Sequence, residues 1–270
     1  MAVSAATRLV APPVRTPFIA LDGVAKTYDT RFGSQVQAVE TVSFGIDRGE
    51  FVSIVGPSGC GKTTLLKMIG GLLEPSAGAI TYDGLESGRK KPQLGIVFQD
   101  AVLLPWRTVL QNVCLPVEVM RRNQQQGEAL ARQFIELVGL KGFEDKYPNE
   151  LSGGMQQRAS IARALVTEPA ILLMDEPFGA LDALTREYMA QELQRIWSSA
   201  AKTVLFITHS ISEAVFLSDR VIVMTARPSR VAEIVPIDLP RPRDLQMTTS
   251  EAFGRHVARI RKLLSATGEL

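Results

Sequence analysis

Short apolar segments separated by glycine-containing turns fill the opening part of the chain. In these segments the apolar positions either alternate with polar ones or run together, which is typical of β-strands. The pattern predicts strands over 18–21, 38–46, 51–55, 79–83 and 94–98 and a helix over 62–69.

Between residues 105 and 166 the apolar positions recur every three or four residues, which is the period of a helix. Leu130, Phe134, Leu137 and Val138 share one face of a helix predicted there. The polar, glutamine-rich segment 121–127 is predicted to be an exposed connection between two helices. This block is therefore predicted to be a helical insert.

Strand and helix patterns then alternate, which favours a parallel sheet with helices on its faces. The predicted elements are strands over 171–174, 203–208 and 221–224 and helices over 183–199 and 250–264. On the last helix, Phe253, Val257, Ile260 and Leu264 form an apolar face, which we expect to pack on the chain's own domain. The predicted organisation is a flexible tail (1–17), a domain (18–240) and a tail with a terminal helix (241–270).

Composition narrows the setting in which the chain works. Its apolar runs are far shorter than the ~18 residues of a membrane span, and Pro12 and Pro13 interrupt the N-terminal run, so a soluble chain is expected. Cys60 and Cys114 are too few for a disulfide framework, which favours a reducing, cytosolic setting. With 30 basic and 28 acidic residues the net charge is only +2, so nucleic acid is not a predicted partner.

A glycine-rich loop between the third predicted strand and the first predicted helix is the strongest chemical signal. It reads Gly56-Pro57-Ser58-Gly59-Cys60-Gly61-Lys62-Thr63-Thr64, the pattern and context of a phosphate-binding loop. The glycines let backbone N–H groups turn toward phosphate oxygens at the positive end of the helix. Lys62 is expected to reach the β- and γ-phosphates, and the Thr63 hydroxyl is expected to coordinate Mg²⁺.

Two further signals accompany this loop. The apolar strand 171–174 ends in Asp175 and Glu176, of which Asp175 is the expected Mg²⁺ ligand and Glu176 the expected general base. The turn Ser152-Gly153-Gly154 opens a helical pattern, where it exposes backbone donors at a helix start. Taken alone, the acidic pair would be a surface turn and the serine an ordinary helix cap.

In combination, the loop, the Leu-Ser-Gly-Gly segment, the acidic pair and a lone histidine after the next strand resemble the ABC ATPase family. The resemblance covers about residues 18–224. It implies an α/β fold: a P-loop NTPase core with a parallel sheet, an N-terminal antiparallel β subdomain and an inserted α-helical subdomain at about 105–166. It also implies that the chain hydrolyses ATP with Mg²⁺.

The resemblance assigns roles to further residues. In that family the Ser-Gly-Gly turn caps ATP held by the other subunit, which implies that Ser152, Gly153 and Gly154 act within a pair of chains, expected to be a homodimer. The resemblance also implies that Tyr28 stacks on adenine and that Gln99 contacts Mg²⁺ and the attacking water. It implies that Asp182 communicates across the dimer and that His209 contacts the γ-phosphate. Without the resemblance, Tyr28 would be a core tyrosine and His209 a strand-end residue.

Within the family, segments 98–109 and 237–243 are similar to importer ATPases for nitrate, taurine and aliphatic sulfonates. About 45 residues follow the last predicted core strand, too few for the regulatory β-domain of carbohydrate importers. The resemblance therefore implies a small oxyanion solute, transmembrane permease subunits, a periplasmic solute-binding protein, and a peripheral location on the cytoplasmic face of the inner membrane. Met155 departs from the glutamine that many members carry, without affecting the backbone donors.

Two rival interpretations stay open at this point. One is an ABC ATPase that serves a non-transport complex such as metallocluster assembly. The other is an unrelated P-loop kinase or GTPase, in which Ser152 and His209 would have no assigned purpose.

Overall fold

One mixed sheet organises the molecule. The computed structural model describes residues 17–29, 34–83, 92–200 and 202–267, and the predicted tail lies outside them except for Pro17. The strands are β1 (Ile19–Asp29), β2 (Gln35–Ile46), β3 (Phe51–Val55), β4 (Ala77–Tyr82), β5 (Leu94–Val97), β6 (Ile171–Asp175), β7 (Thr203–Ile207), β8 (Arg220–Met224) and β9 (Ser229–Pro236). The helices are α1 (Lys62–Ile69), α2 (Val109–Val119), α3 (Gln124–Leu137), α4 (Gly153–Leu165), α5 (Ala183–Ala200), α6 (Ile211–Leu217) and α7 (Glu251–Ala266).

The sheet has two halves of different strand direction. Its order is β4-β1-β2-β9-β8-β3-β7-β6-β5. β8, β3, β7, β6 and β5 are parallel, while β1 pairs antiparallel with both β2 and β4. The predicted α/β fold, with its parallel core and antiparallel N-terminal part, is therefore confirmed.

Strand β9 was not predicted from the sequence. It pairs antiparallel with β8 and parallel with β2, so it joins the two halves of the sheet. Its residues Arg230 and Glu233 interrupt the apolar run, and only Ser229 and Val235 in it are buried. A strand with such mixed exposure carries a weak periodic signal because its neighbours, rather than its own pattern, fix its place.

Apolar residues cover both faces of the parallel strands, as expected for a sheet with helices on both sides. On one face, α1 buries Leu65, Leu66 and Ile69 against the sheet. On the other face, the ring of Phe206 lies 5.9 Å from that of Phe51 and 5.4 Å from that of Phe178.

Helices α2, α3 and α4 lie between β5 and β6 in the chain and pack against one another. The prediction of an exposed connection over 121–127 was wrong at its end, because α3 begins at Gln124, inside that segment. Asn123 starts the helix by accepting a hydrogen bond from the Gln126 amide at 3.0 Å. Gly127 is buried, and a Cβ there would lie 2.3 Å from Val117 Cγ1, so the close packing of α2 and α3 requires glycine.

The predicted packing of the terminal helix is confirmed. Phe253, Ile260 and Leu264 of α7 are buried in the core, with Val257 packed beside them. Before α7, the buried guanidinium of Arg243 donates hydrogen bonds to backbone carbonyls at the end of α6 and in the segment after β9. These acceptors are Val215, Phe216, Ser218, Ile237 and Leu239.

Among the described residues, no helix combines the length and the apolar character needed to cross a membrane.

Candidate functional site

Five neighbouring parallel strands end at the same edge of the sheet, where ligands bind in open α/β sheets. In spatial order these strands are β8, β3, β7, β6 and β5. The glycine-rich loop follows β3 directly, and Glu176 follows β6 directly. His209 and Gln99 are each the second residue after a strand, β7 and β5 respectively. Sheet topology alone therefore brings together residues that are far apart in the chain.

The glycine-rich loop wraps around the side chain of its own lysine. Gly59 and Gly61 have φ values of 72° and 108°, in the left-handed region that favours glycine. Lys62 is buried, and its Nζ donates to the carbonyl oxygens of Gly56 at 2.7 Å and Pro57 at 2.9 Å. The ammonium group is thus fixed inside the loop, at the N-terminus of α1. Ser58 and Cys60 complete the loop, and Thr63 and Thr64 lie in the first turn of that helix.

Asp175, the last residue of β6, is buried beside the first turn of α1. Its carboxylate accepts a hydrogen bond from the Thr63 side chain, and burial raises its pKa above the ordinary value. Its Oδ1 atom is buried without a hydrogen-bond partner in the described part of the chain. An unpaired buried carboxylate oxygen next to a hydroxyl fits a Mg²⁺ ion, which one or two carboxylates and substrate phosphates usually hold.

No group of three or more histidine, cysteine or acidic side chains able to hold a metal occurs in the described ranges. A divalent ion held by Asp175 and Thr63 would take its remaining ligands from phosphate oxygens and water.

Glu176 lies over the same cleft in a constrained backbone conformation. Its φ of 47° is unusual for a residue with a side chain, and its amide donates to the Ile207 carbonyl at 2.9 Å. Its Oε2 lies 3.5 Å from Gln99 Nε2 and 3.4 Å from His209 Nδ1. These contacts are long for hydrogen bonds, as is common where catalytic groups tighten only around a substrate. The Glu176 carboxylate is thus within reach of both the Gln99 amide and the His209 imidazole.

His209 is presented by local hydrogen bonds at the start of α6. Ser210 caps this helix by accepting from the Glu213 amide at 3.3 Å. Thr208 donates to the Glu213 carboxylate at 2.6 Å, and burial raises the pKa of that carboxyl. The imidazole itself is exposed, with its Nδ1 beside the Glu176 carboxylate.

The cleft formed in this way has a volume of about 350 Å³. It is lined by Ser58, Gly59, Gly61, Lys62, Thr63, Thr64, Gln99, Glu176 and Arg227. Arg227, in the turn between β8 and β9, was not singled out from the sequence. Its position three residues after β8, a strand of the parallel core, is the signal that could have found it.

Tyr28, near the end of β1, reaches the same loop from the antiparallel half of the sheet. Its hydroxyl lies 3.3 Å from Thr64 Oγ1, and its ring is 39% exposed. A partly exposed ring beside the first turn of α1 can stack on a planar base. It is therefore not the core tyrosine that the sequence alone would favour.

The remaining predicted site residues form a second cluster. Ser152 caps α4 by accepting from the Met155 amide at 3.3 Å, and Gly153 and Gly154 form the first turn of that helix. A Cβ on Gly154 would lie 3.2 Å from the Ala180 carbonyl, so this turn packs against the segment leading to Asp182.

Asp182 itself caps the start of α5, with its Oδ1 2.9 Å from the Thr185 amide. Hydrogen bonds from the Thr185 hydroxyl and amide hold the pKa of Asp182 below its ordinary value. Neither Asp182 nor the Ser152 turn is among the described residues that line the cleft. Within one chain the predicted site is thus divided into two separate parts.

The segment after β5 is held in a fixed shape by polar side chains that sequence reasoning missed. Gln157 Nε2 donates to the Phe98 carbonyl at 2.9 Å. Arg163 donates to the carbonyls of Ala101 and Val102, each at 2.8 Å. Asn112 is fully buried and pairs with both the amide and the carbonyl of Leu104. As a result this loop displays Trp106, which is 70% exposed.

Comparison with known proteins identifies this arrangement. The ABC transporter family model matches residues 39–179, which include the loop, the Ser-Gly-Gly turn and the acidic pair. The chain belongs to the ABC transporter family of ATP-binding proteins. An uncharacterised ABC transporter ATP-binding protein of Methanocaldococcus jannaschii is 52% identical over 78% of this chain and 79% of its own.

Two relatives carry more specific names. The nitrate import ATP-binding protein NrtC of Synechococcus elongatus is 46% identical over 84% of this chain, which covers 35% of that longer protein. The aliphatic sulfonates import ATP-binding protein SsuB of Bacillus cereus is 41% identical over 87% of this chain and 91% of its own.

A solved structure agrees with the fold of this ABC protein. The dimeric structure of the bacterial ABC transporter cassette MJ0796 superposes with a TM-score of 0.75 and is 35% identical, covering 82% of this chain and all of that one. A second structure of the same cassette holds ADP and phosphate after hydrolysis. As a member of this ATP-hydrolysing family, the chain is an ATP-binding ABC ATPase.

Proposed function

We propose that this ABC ATPase is the energising subunit of an importer, in which ATP hydrolysis drives a separate membrane permease for a small oxyanion solute. The observation that carries the ATPase part is the Glu176 carboxylate, which lies in the cleft lined by Lys62 and within 3.5 Å of both Gln99 and His209. Each of these residues follows a different parallel strand. In this proposal the nucleotide and one attacking water bind in the cleft beside the glycine-rich loop.

In the proposed reaction, Glu176 accepts a proton from the water that attacks the γ-phosphate. Gln99 and His209 lie within 3.5 Å of its carboxylate and orient that water. Lys62 and the backbone amides of the loop hold the transferred phosphoryl group. Thr63, Asp175 and Gln99 are the proposed ligands of Mg²⁺, which supplies positive charge to the phosphates when bound. Tyr28 is the proposed support for adenine.

A second copy of the chain completes each site in this proposal. Ser152, Gly153 and Gly154 form a donor-rich helix start that lies outside the cleft of their own chain. Two chains arranged about a two-fold axis would place this turn over the ATP of the other copy. The dimeric cassette structure supports this assembly, and Asp182, packed beside the turn, would lie at the same interface.

The fixed segment after β5 supports docking to a permease. Val102 is 61% exposed and Trp106 is 70% exposed, although both are apolar. Exposed apolar residues on a rigid support are typical of protein interfaces. We therefore propose that the permease binds here, which would keep the ATPase on the cytoplasmic face of the membrane, with a periplasmic protein delivering the solute on the other side.

The solute class rests on the relatives and on the resemblance of segments 98–109 and 237–243, since an ATPase subunit does not itself contact the solute. The named relatives import nitrate and aliphatic sulfonates. We propose a solute of the same chemistry: nitrate, taurine or an aliphatic sulfonate. Loss of the gene should then abolish growth on one of these compounds as the sole nitrogen or sulfur source, while growth on ammonium and sulfate continues.

Affinity capture from detergent-solubilised membranes of the native host tests the transport proposal. We expect a multi-span membrane protein to be retained by the wild-type chain and lost with Trp106→Asp. Leu72→Asp, at another exposed apolar position, is the matched control and should retain it. Recovery of only water-soluble metallocluster assembly proteins would contradict the transport proposal and favour the non-transport alternative.

A further inference from the structure

Arg227 lines the nucleotide cleft, but none of the roles above uses it. It lies in the turn between β8 and β9 and is exposed. Its neighbours in the cleft wall include Ser58, Gly59 and Lys62, the residues proposed to hold the phosphates.

The topology of the sheet places Arg227 beside the phosphate-binding loop. β8 and β3 are parallel neighbours, with Val223 opposite Val55. Because both strands end at the same edge, the turn after β8 must lie against the loop after β3. The contact is close: a Cβ on Gly56 would lie 3.0 Å from the Met224 carbonyl.

Hydrogen bonds fix the turn that carries Arg227. The Thr225 amide donates to the Arg230 carbonyl at 3.0 Å, and the Arg230 amide donates to Thr225 Oγ1 at 3.1 Å. Ser229 is fully buried and donates to the Ala38 carbonyl at 3.1 Å. Hydrogen bonds therefore fix the backbone on both sides of Arg227, which fixes the position of its Cα atom.

The guanidinium group reaches the loop itself. Arg227 Nη2 donates to the Gly59 carbonyl at 2.5 Å. That bond uses one of the five N–H donors of an arginine, whose planar fork suits phosphate oxygens. By contrast, the Lys62 ammonium is buried and already donates to two carbonyls of the loop. Arg227 adds a second positive charge at the open side of the cleft.

We propose that Arg227 is a second phosphate-binding cation of the ATP site and contacts the polyphosphate chain of the bound nucleotide. The inference rests on the proposal that this cleft holds ATP. Because the contact is with phosphates, Arg227 should discriminate by phosphate number and leave binding of the base and sugar unaffected.

The test compares nucleotide affinities of full-length variants made in a Glu176→Gln background, so that ATP persists during the measurement. Arg227→Gln removes the charge, and Arg227→Lys keeps the charge but not the fork. Arg230→Gln is the matched control, since Arg230 is exposed on the same hairpin but lines a different cavity, together with Glu40 and Ala266. Calorimetry with ATP, ADP and AMP gives the dissociation constants, and thermal unfolding without nucleotide reports on stability.

We expect Arg227→Gln to weaken ATP binding by about tenfold, the effect of losing one charge-assisted hydrogen bond. The affinity for ADP should fall less, and the affinity for AMP should not change. Arg227→Lys should fall between the wild-type chain and Arg227→Gln, because its charge remains without the bidentate geometry. Arg230→Gln should bind all three nucleotides normally.

Three outcomes would overturn the inference. Unchanged ATP affinity in Arg227→Gln would show that the side chain does not contact phosphate. An equal loss of affinity for ATP and AMP, accompanied by a lower unfolding temperature, would show that Arg227 only stabilises the loop at Gly59. If the Glu176→Gln parent chain itself binds no ATP, the proposed function fails together with this inference. The first two outcomes, by contrast, leave the proposed function intact.

Discussion

At the scale of single residues, Asp175 and Glu176 are consecutive carboxylates in different surroundings. Asp175 ends a buried strand and has an unpaired oxygen, whereas Glu176 turns into the open cleft with a φ of 47°. The backbone turn between them separates their side chains. We therefore expect their substitutions to have different effects.

Replacement of the proposed base should separate binding from turnover. Glu176→Gln keeps the size of the side chain but cannot accept a proton at neutral pH. We expect the ATPase rate to fall by about 10²- to 10⁴-fold, the typical contribution of a general base. ATP affinity, measured by equilibrium dialysis, should stay close to that of the wild-type chain. An ATPase rate near the wild-type value would exclude Glu176 as the base.

Asp175→Asn should stabilise the nucleotide-free chain while abolishing Mg²⁺-dependent hydrolysis. Since burial raises the pKa of Asp175, its ionisation opposes folding, and the wild-type free energy of unfolding should fall as pH rises from its ordinary pKa of 3.8 through the raised value. The amide removes this cost, and we expect a gain of about 1 kcal/mol at pH 7 in urea unfolding.

Asp22→Asn, at an exposed position of β1, is the control for Asp175→Asn and should change neither stability nor activity. A loss of stability in Asp175→Asn would show instead that the Thr63 hydrogen bond and the nearby Lys62 charge offset the burial of this carboxylate.

Much of the candidate site could be predicted from the sequence because its residues belong to short local patterns. The glycine-rich loop and the acidic pair each define their own backbone geometry, so their positions followed from the strands before them. Arg227 could not be found in this way. Its proximity to Gly59 depends on β8 lying next to β3, which is a property of the sheet and not of any local segment.

At the scale of elements, one arginine connects the C-terminal segment to the core. The five carbonyls bonded by Arg243 belong to the end of α6 and to the segment after β9. Burial lowers the pKa of Arg243 to about 10, so it remains charged at neutral pH. Its charge also lies at the C-terminal end of α6, where a cation is favourable.

Arg243→Ala should therefore destabilise the chain strongly. We expect a loss of about 3 kcal/mol in the free energy of unfolding, because several buried carbonyls lose their donor at once. Arg255→Ala, an exposed arginine of α7 that pairs with Glu251, should cost less than about 0.5 kcal/mol. Similar unfolding curves for the two variants would show that the Arg243 contacts contribute little.

Element prediction succeeded where burial gave a clear apolar pattern and failed where contacts with neighbouring elements decide the structure. The fully buried strands β3, β6 and β7 appeared as plain apolar runs. Strand β9 has only two buried residues, and the start of α3 is polar and largely exposed, so neither showed a period. The position of β9 depends on its pairing with β2 and β8, and the start of α3 depends on its packing against α2.

At the scale of the whole molecule, Ser152 lies outside the cleft of its own chain, and the shared-site proposal therefore predicts that activity requires a pair of chains. Lys62→Ala and Ser152→Glu should each nearly abolish hydrolysis. Lys62→Ala removes a cation that binds the phosphates, and Ser152→Glu places a negative charge over the phosphates in the other chain's site. A mixture of the two variants forms hybrid pairs, in which one site has both an intact loop and an intact turn.

We expect the mixture to recover up to about a quarter of the wild-type ATPase rate, since half of the pairs are hybrid and each has one intact site. Lys62→Ala mixed with itself at the same total concentration is the control. If hybrid pairs form, as shown by differently tagged chains, but no activity returns, the shared-site proposal is wrong.

The junction made by β9 also predicts how the molecule opens. β9 joins β2 to β8, so the antiparallel strands that carry Tyr28 and the parallel strands that lead to the glycine-rich loop form one hydrogen-bonded sheet. The β2–β9 seam is short, because it has two residue pairs separated by a register shift, whereas β8 and β9 share five pairs. Local opening begins where the fewest contacts hold the backbone. Hydrogen exchange should therefore show the amides at the β2–β9 seam exchanging faster than those of β3 and β7, so that the part of the sheet that carries Tyr28 separates from the part that carries the loop before the core unfolds.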